Sequence, residues 1–373
     1  MRLALVRQRY SAYGGAERFV ERALTALRAQ GVAITVFARE WTGDAESVVR
    51  CDPFHVGRLW RDWSFARAVC ADLAHRSFDL VQSHERIACC NVYRAGDGVH
   101  AQWLENRRAV LGPVGRLGVT LNPYHRYILA AERRLFESAR LRAVICNSCM
   151  VRAEIRARFG VAEAKLHVIY NGIDLEAFHP GLREAHRAAV REKLGIPQQA
   201  LVHLFVGAGF ERKGVFRLLE AFARSTRSGA HLIVVGRDKQ QARAQKLASS
   251  LGIASFVHFA GGQTDVRPWY GAADSFVLPT LYDPFPNAAL EAMACGLPVT
   301  TTRQCGTAEL IEEGVNGFIV DALAVDALAA VLESLDVATA LEMGRNARHR
   351  AEALSLESMA ERLLALYRSL IRT

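Results

Sequence analysis

Two carboxylates, Asp283 and Glu291, stand in the stretch YDPFPNAALEAMACGLPV, residues 282–299. Two prolines beside Asp283 disfavour helix in the residues before them, so we expect a helix to begin at or after Phe285. The alanine-rich run that follows favours a helix. Asp283 would then lie beside a helix N-terminus, whose N–H groups attract anions, and Glu291 would lie about 1.5 turns further along.

This arrangement suits a ligand with phosphate near the helix start and hydroxyls on either side. Gly296 fits the left-handed position after a helix, and the β-branched run that follows Pro298 predicts a strand. Loop, helix, turn and strand are typical of an open α/β sheet. On this stretch alone, a soluble helix with one N-terminal and one exposed acid explains the residues equally well.

Two cations follow another predicted strand, in the stretch FVGAGFERKGV, residues 205–215. Glycines such as Gly207 let a backbone approach a ligand, and Arg212 and Lys213 beside a helix start beyond Gly214 suit a diphosphate. The GxxxxGK[ST] spacing of a P-loop is absent. The alternative is an ordinary strand–helix turn with exposed basic residues.

The first half of the chain carries its own candidates after predicted strands. Gly14 and Gly15 precede a predicted helix, although a glycine pair is equally typical of a turn. His84, Asp97 and His100 follow other strand candidates and would share one rim of a sheet. A lone histidine is more often structural, but two histidines and an aspartate on one rim support a functional interpretation equally well, so both interpretations stay open.

The 373 residues alternate strand and helix patterns, which predicts two doubly wound parallel-sheet domains. The first covers 1–175 and the second 200–355, and ligand is expected in the cleft between them. The polar stretch 176–199 contains no strand candidate and is expected to connect them.

Composition excludes several classes of protein. No run approaches the ~20 apolar residues of a membrane span, and the four apolar residues near the N-terminus are too few for a signal-peptide core, so a cytoplasmic protein is expected. Eight cysteines in this length do not indicate a disulfide scaffold. Cys146 and Cys149 have CxxC spacing, but no second pair accompanies them, so no metal site is predicted.

The net charge of +9 lies entirely in the first half: residues 1–175 hold 26 Lys+Arg and 17 Asp+Glu, and residues 176–373 hold 21 of each. Residues 106–142 carry eight arginines and two glutamates among apolar residues, which resembles an interfacial surface that attracts anionic lipid. A solvated basic face is the alternative. Nucleic acid is not expected, because no recognised binding motif appears.

The motifs resemble, in order, the second half of a retaining family-4 glycosyltransferase of GT-B fold. They are VIYNGIDLEAFHP, GFERKG, DPFPNAALEAMACGLPV and GTAELIEEGVNGFIV, and the glycine pair at Gly14 matches the first half. Lipopolysaccharide core glycosyltransferases of the core glucosyltransferase I type are the most similar relatives. The resemblance implies two Rossmann-like domains that face a central cleft, with a C-terminal helix at 356–373 that packs back on the first domain.

The resemblance also implies roles for the candidate residues. Glu291 would hold the donor ribose, Asp283 would face the transferred sugar, and Arg212 and Lys213 would neutralise the leaving diphosphate without a bound metal. His100 would lie near the reacting sugar. Further donor contacts would be Gly14, Gly15, Gly207, Phe285, Asn287 and Ala288. The candidate acceptor contacts are Glu17, His84 and Asp97.

Two positions depart from the family pattern: Asp283 stands where glutamate is usual, and Ala208 stands where many members have arginine. The expected activity is retaining transfer of a hexose, with glucose expected, from a UDP-sugar to a lipid-linked saccharide of the lipopolysaccharide core. The enzyme would be a monomer at the inner face of the cytoplasmic membrane. The alternatives are a GT-B enzyme of other chemistry, such as a nucleotide-sugar epimerase, and a non-catalytic basic protein that binds lipid or nucleic acid.

Overall fold

The computed structural model describes residues 1–9, 25, 27–28, 31–41, 47–225 and 229–372. The chain divides into two compact units. The first comprises Met1–Gly172 together with Leu356–Thr373, and the second comprises Ile173–Ser355. Residues 176–199, expected as a connection, therefore lie within the second unit.

The described part of the first unit contains a parallel sheet in the order β3-β2-β1-β4-β5-β6-β7. The strands are β1 Arg2–Val6, β2 Ala33–Ala38, β3 Val48–Arg50, β4 Leu80–Ser83, β5 Val92–Arg94, β6 Ala143–Cys146 and β7 Leu166–Val168. The chain moves from β1 to one side of the sheet and resumes on the other side with β4. This makes a topological switch point between β1 and β4, at whose carboxyl edge α/β sheets bind ligands.

Helices flank this sheet: α1 Gly57–Leu73, α2 His100–Ala109, α3 Pro113–Leu121, α4 Pro123–Phe136 and α5 Cys149–Phe159. Local chemistry sets their ends. Asn122 caps α4 by accepting a hydrogen bond from the Tyr124 backbone N–H at 2.9 Å, and Pro123 takes the first helical position, where no N–H is needed. Gly160 ends α5 in the left-handed conformation.

The second unit contains a parallel sheet in the order β10-β9-β8-β11-β12-β13 within its described residues. The strands are β8 Val202–Val206, β9 His231–Val235, β10 Val257–Gly261, β11 Ser275–Leu278, β12 Val299–Thr302 and β13 Gly317–Val320. Its switch point lies between β8 and β11. The observed fold class confirms the two doubly wound sheets predicted from the alternation of strand and helix patterns.

The helices of the second unit are α6 Leu182–Leu194, α7 Phe210–Lys213, α8 Val215–Arg224, α9 Gln241–Ser250, α10 Arg267–Ala272, α11 Asn287–Ala294, α12 Val325–Ser334 and α13 Val337–Glu352. Helix α6 forms in the stretch expected as a connection. It packs so closely on α10 that a Cβ at Gly271 would lie 2.2 Å from the Leu182 carbonyl oxygen.

A buried charge cluster fixes α6 to the second sheet. The Asp274 carboxylate, just before β11, accepts hydrogen bonds from Arg183, Arg187 and Arg191 at 2.7–2.9 Å and from the Val202 backbone N–H at 2.9 Å. Burial opposes ionisation of the Asp274 carboxyl, but the three guanidiniums outweigh it and hold its pKa below the ordinary value.

The last helix, α14 Leu356–Arg372, belongs to the first unit. Its apolar side chains, among them Leu363 and Leu364, join the core formed by β1, β2 and β4, and the Tyr367 hydroxyl donates to Gln82 on β4. In the part of the chain that the structure describes, no helix is both long and apolar enough to cross a bilayer.

Two features were not foreseen in the sequence. The short edge strand β3 carries no alternating pattern long enough to predict it. A disulfide joins Cys70 on α1 to Cys89 in the loop after β4, although no disulfide framework was expected. The helix predicted after Gly14 and Gly15 lies almost entirely outside the described residues.

We predict that Asp274→Asn lowers the stability of the second unit by about 3–5 kcal/mol, because it leaves three guanidiniums without their buried counter-charge. Chemical denaturation of the intact chain, followed by circular dichroism, measures this. Asp326→Asn is the matched control, since Asp326 pairs with Arg224 at the exposed surface and its loss should change little. Equal effects of the two substitutions would contradict the structural role of the buried cluster.

Candidate functional site

The loops after β8 and β11 meet at the switch point of the second sheet. Gly214, with φ of +82°, approaches Pro279 so closely that a Cβ would lie 2.0 Å from the Pro279 carbonyl oxygen. The Arg212 carbonyl accepts hydrogen bonds from the Leu281 N–H at 2.8 Å and the Thr280 hydroxyl at 3.1 Å. These contacts hold the two loops at a fixed separation.

Opposite charges converge where these loops meet. The Lys213 Nζ lies 3.3 Å and the Arg212 Nη1 3.5 Å from Oδ2 of Asp283, whose side chain is about nine-tenths buried. Gly207 leaves room for the lysine, since a Cβ there would lie 2.7 Å from Lys213 Cδ. The structure thus brings together four predicted site residues from segments 70 residues apart in the chain.

An unforeseen carboxylate shapes the basic loop. Asp238 follows β9 and accepts hydrogen bonds from the backbone N–H groups of Gly209 at 2.7 Å and Phe210 at 3.0 Å. These contacts stabilise the start of the short helix α7, which carries both cations. An acid directly after a strand at the carboxyl edge of the sheet was a signal that could have identified it.

Helix α11 presents the second predicted acid. It begins at Asn287, and its N-cap is Pro286, which supplies no side-chain hydrogen bond. Glu291 is largely buried, and the Tyr270 hydroxyl lies 2.8 Å from its Oε2 and 3.1 Å from the Ala288 carbonyl oxygen. Tyr270 therefore orients Glu291, a contact that no local sequence pattern signals.

The other candidate residues of this stretch lie at or beside helix α11. The Phe285 side chain is buried, so only its backbone is suited to contact a ligand, and Asn287 and Ala288 form the first turn of α11. Gly296, with φ of +77°, follows the helix in the left-handed conformation as predicted.

A cavity of about 230 Å³ lies in the first unit, beside the switch point between β1 and β4. Its wall alternates cationic, anionic and aromatic groups: Arg7, Arg61, Asp62, Glu85, Arg86 and Tyr124. Asp97, a predicted acceptor contact, also lines it and lies 4.0 Å from the Arg86 guanidinium. Such a mixture of donors, acceptors and an aromatic ring suits a ligand rich in hydroxyl groups.

Asp62 organises one wall of this cavity. Its carboxylate accepts hydrogen bonds from Arg61 Nε at 2.8 Å, Gln8 Nε2 at 3.2 Å and the Tyr124 hydroxyl at 2.9 Å. The three donors come from α1, the loop after β1 and α4, so one carboxylate ties these elements together around the cavity.

A buried glutamate positions His100. The Glu132 Oε1 accepts from the His100 backbone N–H at 2.7 Å and from Arg86 Nε at 2.9 Å, and Glu132 is 1% exposed. The His100 imidazole lies 3.1 Å from His125 Nδ1. Burial, reinforced by the positive charge of Arg86, lowers the pKa of His100 to about 3, so its imidazole is neutral near pH 7.

His84, another predicted acceptor contact, is buried directly after β4. Its imidazole is buried and lies 3.2 Å from Gln82 Nε2, and burial, with the charges of Arg7 and Arg94, holds its pKa well below the ordinary value. His84 therefore contacts Gln82 within the protein, and its role as an acceptor contact stays a prediction.

Gly14, Gly15 and Glu17 lie outside the described residues, and their roles stay predictions. Among the residues that are described, no group of three or more His, Cys, Asp or Glu side chains is arranged to hold a metal ion.

Two family models match the chain, one over each half. The model described as Glycosyltransferase Family 4 matches residues 13–177, and the model described as Glycosyl transferases group 1 matches residues 186–350. The second match contains the basic loop and both acids of the second unit.

Among curated proteins, the chain is 28% identical over 371 residues to the lipopolysaccharide glucosyltransferase WaaG of Escherichia coli K12. The matched region covers 97% of this chain and 97% of WaaG. It is also 37% identical over 148 residues to the lipopolysaccharide core biosynthesis glycosyltransferase LpsE of Rhizobium meliloti, covering 40% of this chain and 43% of LpsE.

Solved structures show the same fold. The crystal structure of WaaG superposes with a TM-score of 0.83 at 27% identity, covering 98% of this chain and 99% of WaaG. The Anabaena protein Alr3699/HepE, solved in complex with UDP-glucose, superposes with a TM-score of 0.75 at 20% identity, covering 99% of this chain and 100% of HepE. The chain therefore belongs to the family-4 glycosyltransferases of GT-B fold, and over nearly its whole length it is similar to a glucosyltransferase of lipopolysaccharide biosynthesis.

Proposed function

We propose that the chain is a retaining hexosyltransferase that moves glucose from UDP-glucose to a lipid-linked saccharide of the lipopolysaccharide core. One observation carries the proposal: Arg212, Lys213 and Asp283 converge at the switch point of the second sheet, with Glu291 on the adjoining helix. The similarity to WaaG and LpsE supports the class of acceptor, and the HepE complex supports UDP-glucose as the donor.

In this proposal the donor lies along the carboxyl edge of the second sheet. Its diphosphate meets Arg212 and Lys213 and the start of α11, whose positive end lacks a side-chain cap. The ribose hydroxyls donate to Glu291, which Tyr270 already orients. The two cations stabilise the charge that develops on the diphosphate, so the proposed reaction needs no metal ion or other cofactor.

Transfer then proceeds with retention. The bond between the sugar C1 and the β-phosphate oxygen breaks, the acceptor oxygen bonds to C1 on the same face, and the acceptor proton passes to the departing phosphate oxygen. We assign Asp283 an orienting and electrostatic role rather than that of a nucleophile. Its carboxylate contacts two cations, and these contacts oppose its attack on C1 of the sugar.

We assign the acceptor saccharide to the cavity of the first unit. Carboxylates such as Asp62 and Asp97 can accept from sugar hydroxyls, and the surrounding arginines can donate to them. His100, neutral near pH 7, is placed beside the transferred hexose in this proposal. The enzyme would act as a monomer at the inner face of the cytoplasmic membrane, drawn there by the basic first unit.

A donor panel tests the proposal as a whole. We expect calorimetry to detect binding of UDP-glucose, in preference to UDP-galactose, UDP-N-acetylglucosamine and GDP-mannose, and NMR of the product to show an α-glycosidic linkage. Acceptor-dependent release of UDP is the accompanying readout. An inverted anomeric configuration, conversion of the donor to an epimer without acceptor, or binding of none of these donors by folded protein would contradict it.

Lys213→Ala should lower kcat by about 10²- to 10³-fold, because it removes a preorganised cation from the leaving diphosphate. Steady-state kinetics with saturating acceptor measures kcat. Arg212→Ala should lower kcat as well. Lys246→Ala, a charge removal on the exposed face of α9, is the control and should leave kcat unchanged. An unaltered kcat in Lys213→Ala would show that this cation does not stabilise the leaving diphosphate.

Glu291→Gln should weaken UDP binding about tenfold to hundredfold, because it replaces charge-assisted hydrogen bonds to the ribose by neutral ones. The parent should prefer UDP to 2′-deoxy-UDP, and the variant should bind the two more nearly alike. Tyr270→Phe is the matched comparison: it loses one contact to Glu291 but should keep the preference for UDP. Calorimetry with both nucleotides decides; if Glu291→Gln keeps the full preference, the ribose is held elsewhere.

A further inference from the structure

The disulfide between Cys70 and Cys89 joins two walls of the cavity in the first unit. Cys70 lies in the last turn of α1, and Cys89 lies in the loop after β4. Both cysteines are only partly buried, so reagents in solution can approach the bond. The proposed transfer makes no use of this pair, and its presence beside the cavity therefore needs another explanation.

Each cysteine stands close to residues that line the cavity. On α1, Ala66 lines the cavity four residues before Cys70, which puts the two residues on the same face of the helix. In the loop, Arg86 and Ile87 line the cavity, and Cys89 follows Ile87 by two residues. The disulfide therefore fixes the distance between the helical wall of the cavity and the wall that the loop supplies.

Few other contacts with a defined direction hold these two walls together. Within the described residues, no hydrogen bond and no close ion pair joins α1 to residues 84–90. Phe65 of α1 and Ile87 of the loop belong to the same apolar core cluster, but apolar packing does not fix a direction. Reduction of the disulfide would therefore leave the separation of the two walls to apolar packing alone.

The loop after β4 also carries the contacts that position His100. The Arg86 side chain donates to Glu132 at 2.9 Å and to the Gly98 carbonyl oxygen at 3.2 Å. Glu132 in turn accepts from the His100 backbone N–H at 2.7 Å. A shift of this loop would therefore pass through Arg86 and Glu132 to the start of α2, where His100 lies.

The adjacent Cys90 is not suited to exchange with the pair. Its side chain is buried and its thiol donates to the Ile87 carbonyl oxygen at 3.2 Å. Burial raises the pKa of the Cys90 thiol to about 12, so it stays protonated and unreactive near pH 7. Exchange in this part of the fold is therefore confined to Cys70 and Cys89.

We propose that Cys70 and Cys89 form a reversible thiol–disulfide switch that controls the order of the acceptor cavity. The oxidised pair holds α1 against the loop after β4, and the reduced pair releases these two walls. Disulfides are uncommon in a reducing cytoplasm, and those that form there are usually redox-sensing or catalytic. The inference rests on the proposed function for the compartment and for the acceptor saccharide in the cavity.

The switch uses ordinary thiol–disulfide exchange with a dithiol reductant. One thiolate of the reductant attacks a sulfur of the pair, the S–S bond breaks, and the other cysteine leaves as a thiolate that takes up a proton. The second thiol of the reductant then displaces the mixed disulfide. Two electrons thus pass to the pair, which becomes two thiols, and the reductant becomes a disulfide. Glutathione disulfide as oxidant reverses the exchange.

Redox titration of the intact chain tests the switch itself. We expect mass spectrometry after alkylation to show the pair pass from disulfide to dithiol as the thiol fraction of glutathione buffers rises, and return on reoxidation. Hydrogen exchange should become faster on reduction in residues 61–66 and 85–89 and stay unchanged in the second unit. Cys149→Ser removes a half-buried free thiol outside the pair, and this control should titrate like the parent.

Kinetics measure the consequence for the acceptor. With a deacylated lipopolysaccharide core oligosaccharide as acceptor, reduction of the parent should lower kcat/KM for the acceptor about threefold to tenfold, because a loosened cavity must be ordered on binding. Cys70→Ser with Cys89→Ser should match the reduced parent in every buffer. A pair that stays in one redox state in all buffers, unchanged hydrogen exchange, or equal kcat/KM in the oxidised and reduced parent would overturn the proposal.

Donor binding separates this inference from the proposed function. Both redox forms should bind UDP-glucose equally tightly in calorimetry, because the pair and the candidate donor site lie in different units. If neither form binds a UDP-sugar while the titration and the hydrogen exchange give the expected results, the proposed function fails and the redox switch stands. If UDP-glucose is bound and transferred equally by both forms, the proposed function stands and the switch fails.

Discussion

The candidate donor site depends on one steric constraint, the approach of the Gly214 backbone to the Pro279 carbonyl. Any side chain at Gly214 would bring its Cβ to 2.0 Å from that oxygen, so the loops after β8 and β11 can close only with glycine there. The neighbouring Arg212 carbonyl then accepts two hydrogen bonds from the opposite loop. The sheet topology places β8 beside β11, and this contact between their loops then fixes the two cations beside a carboxylate.

That carboxylate also explains how the largely buried Lys213 and the more exposed Arg212 remain ordered. Asp283 lies within 3.5 Å of both Lys213 and Arg212, so each charge has a partner before any ligand binds. Preorganised charges of this kind need little rearrangement when negative charge builds on a leaving group. The same logic applies in the first unit, where Glu132 holds Arg86 and the start of α2 from inside the fold.

The sequence predicted what local patterns determine and missed what distant segments supply. The β-branched run after Pro298 correctly predicted the strand β12, because β-branched side chains pack well on a pleated surface. Asp283 and Glu291 could be predicted as candidate site residues because both stand in one stretch. Tyr270 and Asp238 were missed because their partners come from other segments. Helix α6 was missed because its sequence is largely polar and no local pattern indicates that Arg191 is buried against Asp274.

A crystal structure of the chain with UDP bound tests the proposed donor site most directly. We expect the diphosphate to lie within hydrogen-bond distance of Lys213 and Arg212, at the start of α11, with the ribose hydroxyls hydrogen-bonded to Glu291. A nucleotide bound away from the loops after β8 and β11, or a ribose without contact to Glu291, would contradict it.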